Sequence, residues 1–319
     1  MAADSTRPRT PFDDADADII VRSSDDVHFY LYKVILAKAS PVFKDMFSFP
    51  TKSEPPSSPP VVPVTENGDT LECLLRICYP VSRSTIADLD QFVAVAEAAR
   101  KYQMSEVQPY LEQDLQVLVN GGKDPLRIYA IAHLYHFRSA LDASVRSLLN
   151  RPNYLHAASM PPEFTSLSAA ALYALINHRR KCVDVAIAQV DDLDWMVHGD
   201  HDKKMCFWPT GKPILGKSWA WISCREQPAL ACTQVAGGTE LSMEIWIIMY
   251  LDDAKRAVQD CPTGQSVTRP SVLAEALNSA SSCTRCAKTA WKDLVEYSRL
   301  LAARIDDALV KVQLDPLPS

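Results

Sequence analysis

Cys283 and Cys286 stand in a C-x-x-C spacing, the one pattern in this chain that matches half of a zinc-binding motif. Paired thiolates at that spacing leave one turn between them and can close on one metal ion. A full site needs further ligands, and Cys224 is the residue we expect to complete the group. Cys206, Cys232, Cys261, His198 and His201 are the remaining candidates for a fourth position. No second C-x-x-C occurs, and buried free thiols at helical spacing are the commoner outcome of such a pattern. The expectation is therefore a chain without an obligatory cofactor, in which Cys224, Cys283 and Cys286 are the one set able to hold zinc. A thioredoxin-like role lacks the βαβ context it needs.

No other constellation carries chemistry. Serine, histidine and aspartate are present, but no G-x-S-x-G elbow presents a serine for attack. The seven histidines are dispersed, and the acidic run Asp191, Asp192 and Asp194 fits a helix end and a solvated loop. Trp195, Trp208, Trp219, Trp221, Trp246 and Trp291 suit the core of a loop-rich helical domain better than a ligand-stacking site. G-x-G-x-x-G and P-loop patterns are absent, which speaks against a nucleotide-binding α/β enzyme. The chain is not expected to be an enzyme.

The 319 residues are enough for two domains, with 47% hydrophobic and 23% charged residues. A net charge of −6 without a basic stripe argues against direct nucleic-acid binding, which needs Lys and Arg to neutralise phosphates. The longest apolar run, Ile245 to Leu251, is too short for a bilayer. The polar first residues do not resemble a secretory signal. An odd number of scattered cysteines then implies reduced thiols and an intracellular protein, in cytoplasm or nucleus.

The elements that must position these residues begin at Asp18. Ile19–Val21 and Phe29–Tyr32 read as strands around a Ser23-Ser24-Asp25-Asp26 turn. A helix from Lys33 to Ala39 follows. Ser40-Pro41 then opens a second helix, with Phe43, Met46 and Phe47 expected in the core. Residues 50–60 are a proline-rich loop, and Pro63 confines Val61–Val64 to a sheet edge. Helices are predicted after Asp69, after Asp88 or Asp90, and behind Ser105. Further helices are predicted over 125–137, 139–149 and 166–190, from about Ser242 to Gln259, near Pro270, and from Cys286 to Val312 with Trp291 among its apolar positions.

The phrase from Asp18 to Phe47, with Leu36-Ala37 and Ser40-Pro41-x-Phe43-x-x-Met46-Phe47 at fixed offsets, resembles the start of a BTB/POZ domain. Val95-Ala-Glu-Ala-Ala-Arg-Lys-Tyr-Gln-Met104 is similar to its late helical pair. The resemblance implies an α+β BTB/POZ domain followed by a mainly α-helical C-terminal region. The expected division is a disordered stretch 1–15, the BTB domain 16–120, a helical hairpin extension 121–190 and a Trp- and Cys-containing helical region 191–319. The whole layout resembles the fungal BTB proteins with a cysteine-containing helical C-terminal half.

By that resemblance, Asp18 and Lys33 line a charged pocket near a dimer interface, with a local ion pair as the plainer alternative. Tyr32 stands where the family usually has histidine. In the hydrophobic-x-Glu element of Cullin-3 adaptors, this chain has Lys52 two residues before Glu54, which removes the apolar anchor. The expected function is a non-enzymatic interaction module that self-associates as a homodimer or docks protein partners. The alternatives are a Cullin-3 ubiquitin-ligase adaptor and a transcription regulator acting through a DNA-binding partner. Ile35 and Leu36 are adjacent on one helix and cannot share a face, so one should point at the core and the other at a second surface.

Overall fold

A computed structural model of the chain describes residues 10–49, 59–154, 160–193, 195, 219–224, 231–235 and 239–315. Their order is a small sheet with helices, followed by a mostly helical remainder. The fold divides into two compact units, Met1–Val145 with Met160–Leu167, and Arg146–Ser159 with Ser168–Ser319.

In the first unit β1 (Ile19–Arg22) pairs antiparallel with β2 (His28–Leu31), in a register that sets Ile19 against Leu31 and Val21 against Phe29. These four are buried, so the β-branched and aromatic residues of both strands share one core face. Asp26 takes the left-handed conformation (φ 61°) in the connecting turn, one that aspartate tolerates. β3 (Val61–Pro63) adds parallel to the other side of β1, giving the order β2-β1-β3 and placing Pro63 on an edge as expected.

The helices of this unit are α1 (Lys33–Ala39), α2 (Pro41–Ser48), α3 (Gly68–Cys78), α4 (Leu89–Lys101), α5 (Gln108–Asn120) and α6 (Pro125–Leu134). Residues up to Val145 of α7 (Arg138–Leu149) also belong to it. Ser40 caps α2 by accepting the Phe43 N–H at 3.1 Å, and its own hydroxyl donates to the Tyr102 carbonyl at 2.6 Å. Phe43 then stacks on Tyr102 with ring centroids 4.7 Å apart.

Several expectations are corrected here. The stretch 1–15 is not featureless where it is described: Phe12 is buried in the core, and its carbonyl accepts the Tyr30 N–H at 2.9 Å. The surrounding aspartates hid this single anchor. Of the three α2 residues assigned to the core, Phe43 is buried, Phe47 is half-buried and Met46 faces solvent. Asn67, not Asp69, caps α3, accepting the Thr70 N–H at 2.8 Å. Ile128, Ile131, Phe137 and Ala140, all beyond residue 120, join the first unit's core rather than forming a separate extension.

The second unit contains α8 (Ala169–Asp191), α9 (Ala220–Ser223), the hairpin β4 (Ala231–Val235) and β5 (Thr239–Met243), α10 (Ile245–Asp260), α11 (Gly264–Val267), α12 (Pro270–Ser281) and α13 (Ala290–Leu309). The hairpin falls where the sequence reading expected irregular chain. On α8 the buried stripe is Ala171, Ala174, His178, Cys182, Ala186 and Val190, while Ile176 is exposed. Small residues there allow close helix approach. On α13 the buried stripe runs Ala290, Leu294, Tyr297, Leu301, Ile305. Trp291 lies one residue off it and is exposed, a correction to its assignment as a core position. Cys286 opens a short 3-10 turn ahead of α13 rather than the helix itself.

Candidate functional site

The sequence-predicted charged pair sits where β1 and α1 begin. The Asp18 N–H donates to the Leu31 carbonyl at 3.2 Å, which brings its side chain to the first turn of α1. Asp18 Oδ1 accepts the Lys33 backbone N–H at 2.7 Å. The carboxylate thus satisfies one of the orphan N–H groups of the helix start. Tyr32, the residue in the cap position, makes no side-chain cap of its own. Among the described residues no ion pair joins the Asp18 carboxylate to the Lys33 ammonium, so the plainer reading of a local ion pair gives way to a backbone cap. The Lys33 ammonium is therefore not tied to Asp18.

Two residues not singled out from sequence complete this corner. The Tyr32 phenol donates to the Asp14 carboxylate, and that hydrogen bond pushes the Tyr32 pKa up to about 12 while holding the Asp14 carboxyl below its usual range. The Tyr79 phenolic oxygen accepts the Tyr32 N–H at 2.9 Å, and burial pushes its pKa up to about 12. Both phenols stay protonated at neutral pH and act as fixed hydrogen-bonding groups. Phe12 packs edge-on against Tyr79 with centroids 5.4 Å apart, which holds the Asp14 segment in place. A lone phenylalanine among aspartates was the available signal for this arrangement.

The residues of α1 sort themselves around this corner. Leu36 is fully buried, Ile35 is half-buried and Val34 is 65% exposed. Residues 12–118 match the family model of the BTB/POZ domain. The match begins at the buried Phe12 and runs to Leu118 in α5. A BTB/POZ domain is a protein–protein interaction module, and this chain carries one at its N-terminal end. No curated protein matches the chain.

A second surface of the BTB domain is apolar at the end of α2. Met46 is exposed and Phe49 is 74% exposed. Lys52 and Glu54, which bear on the Cullin-3 question, lie outside the described residues. No described helix is long and apolar enough to cross a membrane.

The predicted thiol group lies in the second unit. Cys224 follows α9, Cys283 sits in the turn after α12, and Cys286 opens the 3-10 turn. All three are buried, and their sulfurs lie within 4.8 Å of one another. Cys224 Sγ is 3.4 Å from Cys283 Sγ, and the Cys286 N–H points at Cys283 Sγ, also at 3.4 Å. Burial, and then the neighbouring Cys224 sulfur, push the Cys286 thiol well above the ordinary thiol range. The Trp246 indole N–H has no hydrogen bond of good geometry, yet sits close enough to the Cys286 sulfur to oppose that rise. Cys261 stands apart, its thiol 3.6 Å from the Asn150 carbonyl. Cys232 lies on β4, and His198, His201 and Cys206 lie outside the described residues.

The tryptophans mostly build the core around this group. Trp219 stacks on Trp221 at 4.7 Å, and Trp221 meets Trp246 and Tyr297 edge-on. Trp195 stacks on Tyr297 beneath the Arg304 guanidinium. The exposed Trp291 instead borders an apolar groove of about 500 Å³ with Leu273, Leu277 and Val295. Trp208 lies outside the described residues.

Proposed function

We propose that the chain is a non-enzymatic interaction protein whose BTB domain pairs with a second copy of itself through the outer face of α1. The observation that carries this reading is Val34, 65% exposed beside a half-buried Ile35, on the helix through which BTB domains typically associate. An apolar side chain that one core leaves in water gains most from a second surface. Asp18 and Lys33 flank the same helix start and supply the polar rim at which a further protein partner docks. Because Asp18 spends one oxygen on the helix cap, the Lys33 ammonium is the member of the pair offered to an acidic partner group.

Light scattering of the full chain at micromolar concentration tests it. Self-association predicts about twice the single-chain mass of 35.4 kDa, with an interface of at least ~1,000 Å². Val34→Asp should return the mass to the single-chain value with the circular dichroism spectrum unchanged. A wild-type mass of one chain overturns the pairing. A pulldown with Cullin-3 separates the ligase-adaptor role from a scaffold, and the exposed Phe49 and Met46 are the residues whose replacement should abolish such capture.

A further inference from the structure

We propose that Cys224, Cys283 and Cys286 form a structural zinc site in the second unit. The sulfurs come from two segments far apart in sequence: Cys224 and Cys283 are separated by 59 positions yet lie 3.4 Å apart. A tetrahedral zinc with Zn–S bonds of about 2.3 Å sets its sulfurs about 3.8 Å apart. The observed group, with one separation of 3.4 Å and all within 4.8 Å, brackets that edge.

The other buried thiols behave differently. Cys182 meets the His178 ring nitrogen at 3.5 Å, Cys73 meets the Gln91 amide at 3.3 Å, and Cys261 faces a carbonyl. Each fills its place as a small apolar residue with one or two polar neighbours, Cys73 also meeting the Ser84 hydroxyl at 3.8 Å. The trio instead turns three sulfurs on one point. The backbone reinforces this, since the Cys286 N–H points at Cys283 Sγ at 3.4 Å and holds that sulfur toward the other two. The Trp246 indole, 2% exposed and without a hydrogen-bond partner, is a further buried donor in the same core cluster as the three cysteines.

On binding, each thiol gives its proton to solvent as its sulfur bonds to the metal, and no electron transfer is involved. Three thiolates on a dication leave one negative charge, which the N–H donors offset. The fourth tetrahedral position falls to a ligand outside the trio, water included. The ion would fix the α9 segment to the turn between α12 and α13, holding Trp219 and Trp221 in the core. This site does not depend on BTB self-association.

Elemental analysis of the full chain, purified with a thiol reductant but no chelator, is the test. About one zinc per chain is expected, or uptake to that level on adding zinc chloride. Cys283→Ser and Cys286→Ser should each lower the content severalfold, whereas Cys261→Ser should leave it unchanged. If the serine variants do not fold, cobalt(II) exchanged into the unaltered chain gives the second readout, as thiolate-to-cobalt charge-transfer bands with tetrahedral ligand-field absorption. No metal on isolation and none taken up overturns the proposal. So does a mass lighter by two hydrogens under non-reducing conditions with Cys224 linked to Cys283, which would make the pair a disulfide. Copper or iron in place of zinc overturns the assignment of the ion.

Discussion

The first unit caps most of its helices from adjacent residues, whereas the second caps only one of its helices that way. In the first unit, Ser40, Asn67 and Asp88 each accept an N–H three residues on, and Asp124 accepts one two residues on, at 2.8 to 3.1 Å, while α1 is served by Asp18 from 15 residues away and α5 has no side-chain cap. In the second unit Ser168 does the same for α8, but the residues ahead of α9, α10, α11, α12 and α13 supply no side-chain cap. Two of these starts are served from a distance. Asp293 accepts the Ala220 N–H at 2.9 Å, and Asp306 accepts the Gly264 N–H at 2.7 Å. A local cap forms with the helix it starts, whereas a remote cap exists only once α13 has docked. The cores differ in the same sense. The first is built on a strand register and phenylalanine anchors, the second on stacked tryptophan and tyrosine rings contributed by several segments.

The largest expected effects come from removing one anchor of each core. Phe43→Ala and Trp221→Ala should each cost about 3–5 kcal/mol. Hydrogen exchange followed by peptide mass spectrometry should show lost protection in α2 and α4 for the first, and in α9, α10 and α13 for the second. Protection unchanged in α10 and α13 would mean that Trp221 is not the keystone of its core. Next comes Gly264→Ala. A Cβ there would lie 2.3 Å from the Ala302 carbonyl oxygen, so α11 and α13 must move apart, at a cost of roughly 1–3 kcal/mol. A denaturation midpoint equal to wild type would show that this contact has slack.

The two kinds of cap can be compared directly. Asp293→Ala leaves the buried Ala220 N–H without this acceptor and should cost about 1–3 kcal/mol. Asp88→Ala at an exposed local cap should cost about 1 kcal/mol. Equal losses in denaturant titrations would erase the distinction between near and remote capping.

The smallest effect is a pH dependence. Burial raises the Glu66 pKa, but hydrogen bonds from Lys101 at 2.8 Å and Tyr102 at 2.6 Å outweigh it, and the net shift is downward. A carboxylate held low stabilises the fold above the unfolded glutamate pKa of about 4.3, and that stability fades as pH falls through the lower folded value. Glu66→Gln should therefore reduce the acid-side loss of stability between neutral pH and about pH 3, read as denaturation midpoint against pH. An unchanged slope would assign the acid sensitivity to other carboxylates.

Sequence legibility follows the same division. The Ser23–Asp26 turn, the Ser40-Pro41 helix start and the Asp88 cap are set by residues within about four positions of one another, and each lies close to where pattern and turn chemistry placed it. Phe12 was missed because its neighbours are polar and its partners, Phe29 and Tyr79, are far along the chain. Met46 was misassigned because helical spacing gives a face but not its width. β4 and β5 were missed because their strands lack the β-branched alternation that marks a half-buried hairpin.

The amino-acid sequence by itself determined the BTB domain, the C-x-x-C spacing of Cys283 and Cys286, and the fact that Ile35 and Leu36 must face apart. The last two depend on residue spacing and helical periodicity, which short stretches contain in full, whereas the BTB domain was legible as a resemblance carried by the phrases Asp18 to Phe47 and Val95 to Met104. Tertiary structure decided which of the two α1 residues is buried, that Asp18 caps a helix instead of pairing with the Lys33 ammonium, and that Asp293 serves a helix start 73 residues away. It also decided that Cys224, rather than Cys261, meets the C-x-x-C pair. The physical reason is that these outcomes depend on which surfaces are close in space, and proximity between distant segments is settled only when the helices pack.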